Sequence, residues 1–169
     1  MLIKYSLPIK RMLSFMLDWF VLAIWGGVLF GLVMLYTGGT PPHITSPWHG
    51  QLISFIFITL PFILYFALSE NSAWQATLGK HIFGIKVISV SEKELRFGRC
   101  FLRNLIKFIP WELGHVFAHH AALQGDGLQE WVWVFLILSV LGALWWMAAI
   151  FLADETPYNH WTGCRVVHI

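Results

Sequence analysis

The sequence predicts an all-α membrane protein, a small bundle of three to four membrane helices with a short cytoplasmic β-hairpin. Of its 169 residues, 57% are hydrophobic and 12% are charged, whereas about a quarter of the residues in a soluble domain carry charge. Three apolar runs reach the length of about 20 residues that a helix needs to cross the hydrocarbon core. They are residues 12–36, 51–69 and 131–153. Residues 1–169 are expected to form a single membrane domain.

The first apolar run contains one charged residue, Asp18, and Arg11 stands just before it. A charge near the centre of a spanning helix costs about 2.5–3.5 kcal/mol on insertion scales, so it usually faces protein and is often functional. Arg11 and Asp18 are two helical turns apart and share one helix face. Farther along, Gly27 and Gly31 form a G-x-x-x-G motif, which allows close packing within one protomer or between two copies.

The second apolar run and the segments beside it predict the orientation. Residues 37–50, before the run, contain no Lys or Arg, and residues 70–107, after it, carry the main basic concentration. Because cytoplasmic loops are rich in Lys and Arg, the N-terminus and residues 70–107 are expected on the cytoplasmic side. Within the run, Pro61 predicts a kink, with its freed carbonyl bonded by Thr59 or by a neighbouring helix.

A short β-hairpin is expected inside the basic segment. Residues 85–90 alternate apolar and polar side chains, and a charged turn and residues 95–97 follow them. This pattern is typical of two short strands lying at the membrane surface. Cys100 and Cys164 fall in segments assigned to the cytoplasmic side, so we expect free thiols rather than a disulfide.

The next segment, residues 99–119, is a polar helix with two possible placements. Arg99, Arg103 and Lys107 recur at intervals of four and form one basic face. The helix could lie flat on anionic headgroups, which leaves the C-terminus outside. It could instead enter the bundle as a third membrane helix, broken near Pro110, which leaves the C-terminus inside. We favour the second placement.

No enzyme, metal or cofactor is expected. His115 and His119 are one helical turn apart, a spacing that can bind a metal, but no further ligand completes a recognised pattern. Gly79 and Gly84 do not have the spacing of a phosphate-binding loop. No catalytic nucleophile motif or paired-carboxylate pattern is present, and the acidic residues 154–155 are interpreted as a solvated helix end.

Two roles remain open for Asp18. It could pin the bundle by pairing with Arg11, or with Arg103 or Lys107 from the polar helix. It could instead bind a proton or a cation and release it when its exposure changes.

Three ordered sequence blocks resemble the RDD family of bacterial membrane proteins, which is named for one arginine and two aspartates. The first block is Arg11-x6-Asp18, and the second is T-x-G-K-x-x-x-G, from Thr77 to Gly84 and followed by a basic segment with Leu102-Arg103. The third is the terminal stretch G-C-R-V-V, residues 163–167. The resemblance covers nearly the whole chain.

The resemblance implies a set of functional positions and one departure from the family pattern. Within residues 158–163, Asn159 stands where the family's second aspartate is expected, and an amide cannot carry its charge or proton. The terminal block is expected on the cytoplasmic side, which favours an even number of membrane passages. The site residues implied are Arg11, Asp18, Gly79, Lys80, Gly84, Arg103, Asn159 and Gly163.

Two functions are consistent with these observations. The resemblance implies transport of ions or small solutes, and some members resemble sodium–proton antiporters; Asp18 would then be the ion site of a homo-oligomer. Alternatively, the chain is a scaffold or accessory subunit that binds a partner protein or anionic lipid through its basic cytoplasmic segment. Both hypotheses place a multi-pass protein, with no nucleic-acid partner, in the bacterial plasma membrane with its N-terminus in the cytoplasm.

Overall fold

The computed structural model describes residues 2–40, 43–91, 94–153 and 155–169. Seven α-helices and two strands form these parts of the chain, with a π-helical segment at Phe55–Thr59 and 3-10 turns at Gly125–Gly127 and Glu130–Val132. In chain order they are α1 (Leu2–Tyr36), α2 (Pro47–Ser54), α3 (Leu60–Asn71), α4 (Leu78–Ile82), β1 (Ile85–Ser89), α5 (Phe97–Gln124), α6 (Trp133–Leu152), α7 (Pro157–Thr162) and β2 (Cys164–His168).

The predicted class, a helical membrane protein with a short pair of strands, is confirmed. Within the described residues, three stretches are long and apolar enough to cross a membrane: Leu7–Tyr36, Pro47–Asn71 and Glu130–Leu152. Large apolar side chains along α1 and α6 are exposed in the isolated chain, as expected for surfaces that contact lipid.

The irregularity predicted at Pro61 takes the form of the π-helical segment between α2 and α3. Pro61 has no N–H to donate to the Phe57 carbonyl one turn earlier. The Trp25 indole of α1 donates to that carbonyl at 3.2 Å, so the neighbouring-helix alternative is correct. The Thr59 hydroxyl instead donates to Glu112 of α5 at 2.5 Å.

Helix α5 is continuous through Pro110, so the predicted break there is wrong. Its 28 residues span about 42 Å, and it packs most extensively against α6 and α3. Near the proline, the Lys107 carbonyl accepts a hydrogen bond from the Trp146 indole at 3.2 Å. This bond ties α6 to α5 one residue after Ile106, whose carbonyl loses its helical donor at Pro110.

The two strands form an antiparallel pair, but the predicted local hairpin is wrong. Strand β1 pairs with β2, Ile85 opposite His168 and Ser89 opposite Cys164. The segment predicted as the second strand instead turns inward at Leu95, which packs in the core beside Cys100, and enters α5 at Phe97. Burial of Leu95 therefore removes that segment from the sheet, and the C-terminus supplies the partner strand.

The glycines of the G-x-x-x-G motif have no close neighbour in the described chain. A methyl group added at Gly27 or Gly31 would meet nothing within 4 Å. Packing of this motif within the protomer is therefore not observed, and contact between two copies stays a prediction.

The strand pairing predicts a specific crosslink. Opposed Cβ atoms in an antiparallel pair lie about 4.5–5.5 Å apart, and Ser89 lies opposite Cys164. In a Cys100→Ser background, mild oxidation should join the Ser89→Cys variant to Cys164. The control Ile88→Cys, on the opposite face of β1, should crosslink far less. Peptide mapping by mass spectrometry checks this, and equal yields in the two variants would contradict the register.

Candidate functional site

Asp18 is fully buried and accepts three hydrogen bonds from neutral donors. The Thr77 hydroxyl donates at 2.6 Å, the Gly79 N–H at 2.9 Å and the Tyr65 hydroxyl at 3.1 Å. Among the described residues no cation lies within ion-pair distance of Asp18, so the predicted pairing with a basic residue is not observed. Arg11 donates to the Thr156 hydroxyl at 3.2 Å instead.

The T-x-G-K block fits against α1 because of its small residues. Thr77 caps α4 by accepting from the Lys80 N–H at 3.3 Å while it donates to Asp18. Gly79 lies so close to α1 that an added Cβ would stand 2.2 Å from the Ser14 carbonyl oxygen. This block therefore holds α4 against α1.

Two further glycines of the predicted site shape the chain around the sheet. Gly84 and Gly163 have positive φ angles, 66° and 60°, a conformation that glycine adopts without steric cost. Their carbonyls accept from Ile169 and Val90 at 3.0 and 2.9 Å, respectively. Both glycines are structural residues at the two ends of the strand pair.

Glu70 was missed by the sequence analysis and is the centre of the buried ionic network. It has no exposed surface, and the Arg103 guanidinium donates to both of its oxygens at 2.7 and 2.8 Å. Lys80 forms a second ion pair with it, and the Asn104 amide donates at 2.8 Å. The available signal was a lone carboxylate directly after the second apolar run, at the first position of the basic segment.

Asn159, at the position of the expected second aspartate, joins the same network. Its side-chain oxygen accepts from the Arg103 Nε at 2.8 Å. Beside it, Arg103 lies over the Tyr158 ring at 5.2 Å. Burial by itself would raise the pKa of Tyr158, but the nearby Arg11 and Arg103 cations outweigh that effect and lower it. The surroundings of Tyr158 are therefore positive on balance, and an asparagine at position 159 leaves one negative charge fewer than an aspartate would.

A cavity of about 290 Å³ lies between α1, α5 and α6. Its wall includes one carboxylate, Asp18, and four basic side chains: Arg11, Lys80, Arg103 and Lys107. The remaining lining is mainly aromatic and aliphatic. This cavity combines a positive region with an apolar surface.

Lys107 lines this cavity without a direct protein partner for its ammonium group among the described residues. Its ammonium group lies 3.8 Å from the Phe66 ring centroid and 4.7 Å from that of Phe15, where cation–π attraction offsets part of its desolvation. In the described part of the chain it has neither a hydrogen-bond acceptor nor a carboxylate partner. The predicted pairing of Lys107 with Asp18 is therefore not observed.

A second polar cluster lies farther along α5, around Glu112. Its carboxylate accepts from Gln51 at 2.6 Å and from Thr59 at 2.5 Å, and His115 lies 3.3 Å away. One turn later, His119 lies 2.7 Å from the Ser54 hydroxyl. The described residues contain no group of three or more His, Cys, Asp or Glu side chains that could hold a metal. This cluster joins α5 to α2 and to the π-helical segment.

Together, the fold and the buried network define a helical membrane protein in which buried charged side chains are bonded to one another. The RDD family model matches residues 5–156. The chain therefore belongs to the RDD family. No curated protein and no solved structure matches it.

The contact between α1 and α4 predicts a sharp difference between two glycines. Gly79→Ala places a methyl group against the Ser14 carbonyl, whereas Gly98→Ala meets nothing within 4 Å. Overpacking costs about 1–3 kcal/mol or more, so Gly79→Ala should lower the thermal midpoint or abolish folding. Gly98→Ala should leave the midpoint equal or higher, because alanine favours a helix.

Tryptophan fluorescence of the purified protein in detergent measures both midpoints. Similar midpoints for the two variants would contradict the close approach of α4 to α1.

Proposed function

We propose that this RDD family protein binds an anionic group in the cavity between α1, α5 and α6 and transports the molecule that carries it. The proposal keeps transport of ions or small solutes as the function and specifies that the transported solute is an anion. The protein would act without catalysis, in the bacterial plasma membrane, as a homo-oligomer or with a membrane partner protein.

The observation that carries the proposal is Lys107. A cation inside the bundle without a carboxylate at ion-pair distance is costly, and a binding site is a common reason to retain one inside a membrane. The other three cations of the cavity have protein acceptors: Arg11 bonds Thr156, and Lys80 and Arg103 bond Glu70. An anionic group in the cavity could accept a hydrogen bond from Lys107 without displacing a protein acceptor.

The carboxylates support an anion rather than a cation as the solute. Asp18 accepts three hydrogen bonds and Glu70 accepts from two cations and an amide. A metal cation or a proton would have to displace these donors before it could bind. The antiporter-type role for Asp18 is therefore the weaker alternative.

The sheet supports a four-passage topology with both termini in the cytoplasm. Strand β1 precedes α5 and pairs with β2, which follows α6. The start of α5 and the end of α6 therefore lie at the same end of the bundle. Basic residues precede the first apolar run and follow the second, and they favour the cytoplasm for this end of the bundle. In this topology α5 is the polar third passage.

A scaffold function is the second candidate, and one observation favours it. The family-motif residues Asp18, Gly79 and Arg103 all have structural contacts in the folded chain. A scaffold would need these contacts but would not need Lys107. The two candidates therefore differ in what neutralisation of Lys107 does.

The transport proposal predicts loss of flux in Lys107→Gln. Proteoliposomes are assayed for uptake of labelled inorganic phosphate and for leaflet exchange of a fluorescent phosphatidylglycerol, so that free and lipid-borne anions are both covered. A charge-assisted hydrogen bond contributes about 1.5–3 kcal/mol, so the active assay should slow about tenfold or more.

Lys86→Gln, which removes a lysine from β1, outside the cavity, is the matched control and should retain the wild-type rate. Absence of flux above empty liposomes in both assays, or flux that Lys107→Gln leaves unchanged, would rule out the transport proposal.

A further inference from the structure

We infer that the ligand of this cavity is an anionic phospholipid, with its headgroup at Lys107 and an acyl chain along the apolar wall between α1 and α6. This inference rests on the anion site proposed above and identifies the class of molecule that occupies it. The cavity has two chemically different regions, and a phospholipid presents the same two regions in one molecule.

The positive region would bind the headgroup. Lys107 offers an unused ammonium group, and Arg11 reaches the same cavity with one hydrogen bond to Thr156. A phosphate diester has two unesterified oxygens, which accept from lysine and arginine donors in the geometry that these side chains favour. A zwitterionic headgroup would bring a further cation into a region that already contains four.

The apolar region would contact the acyl chain. Beyond the four cations and Asp18, the wall is mainly apolar and includes Phe15, Trp19, Trp146, Met147, Ile150 and Phe151. A small hydrated anion gains nothing from such a surface, because apolar contact does not replace its water. A hydrocarbon chain gains from contact with all of it.

The cavity is open sideways, toward the position of the lipid. Four lining residues on α1 and α6 are partly exposed in the isolated chain, by 37% for Met12, 36% for Phe15, 54% for Met147 and 40% for Phe151. Arg103, at the inner end, is only 2% exposed. An amphiphile can therefore move from the bilayer between the two helices without leaving the membrane, with its chain remaining partly in lipid.

Asn159 strengthens the positive region in this chain. The residue faces Arg103, and an aspartate there would place a further carboxylate beside the cations. Asn159→Asp should therefore weaken binding of an anionic lipid while it preserves the hydrogen bond to Arg103. This variant restores the aspartate that the family pattern expects, and it is nevertheless predicted to reduce lipid binding. It is therefore a selective test of the inference.

Native mass spectrometry from mixed micelles tests the inference. The full-length protein is incubated with equal amounts of phosphatidylglycerol and phosphatidylcholine, and the lipid retained per protomer is measured. The wild type should retain phosphatidylglycerol in preference to phosphatidylcholine. Lys107→Gln and Asn159→Asp should each lower that preference about tenfold, and Lys86→Gln should not change it.

A second variant separates loss of binding from loss of folding. Met147→Trp fills the opening between α1 and α6 without altering a charge, and it should block retention of phosphatidylglycerol at an unchanged thermal midpoint. Equal retention of both lipids by the wild type would overturn the inference, as would full displacement of phosphatidylglycerol by millimolar inorganic phosphate. Lipid retention without any flux would contradict transport but leave the lipid site intact.

Discussion

The buried ion pair between Glu70 and Arg103 is the interaction on which the rest of the structure depends. Taking two charges out of water costs several kcal/mol each unless excellent geometry and further hydrogen bonds compensate. Both carboxylate oxygens of Glu70 accept from Arg103, and Lys80 and Asn104 complete the carboxylate's partners. With Asn159 bonded to the same guanidinium, the pair connects α3, α4, α5 and α7, elements that are distant in sequence.

Around this network the charged residues divide into two groups. Asp18 and Glu70 have all the donors they need, so they fasten α1 to α4 and α3 to α5. Lys107 lines a cavity with aromatic rings beside its ammonium group and, among the described residues, without a direct hydrogen-bond acceptor. This division connects structure to function: Asp18, which first suggests ion binding, helps Glu70 to hold the bundle together, and a cation without a direct protein acceptor marks the site. An anionic amphiphile fits the remaining space and charge.

The sequence predicts the apolar helices well, because a membrane-spanning helix needs a minimum length and an apolar composition that a few polar residues do not obscure. It also predicts that Asp18 matters, since a carboxylate in such a run has to be satisfied. Its partners could not be predicted from spacing along α1, because they are neutral groups of α3 and of the start of α4 that tertiary packing brings to this helix. Glu70 was not predicted as a site residue because it lies at the end of α3, where a charged side chain is common and does not indicate burial. The pairing of β1 with the C-terminal strand depends on contacts across the whole chain, which a local pattern does not encode.

A double-mutant cycle on Glu70→Gln and Arg103→Gln tests the central claim most directly. Free energies of unfolding are measured in bicelles for the wild type, the two single variants and the double variant. Each single variant should lose about 3–5 kcal/mol because it leaves a buried charge without its main partner. The double variant should lose less than the sum of the two losses, with a coupling of at least about 1 kcal/mol. Additive losses would show that the two side chains do not stabilise the fold as a pair, and would contradict the account.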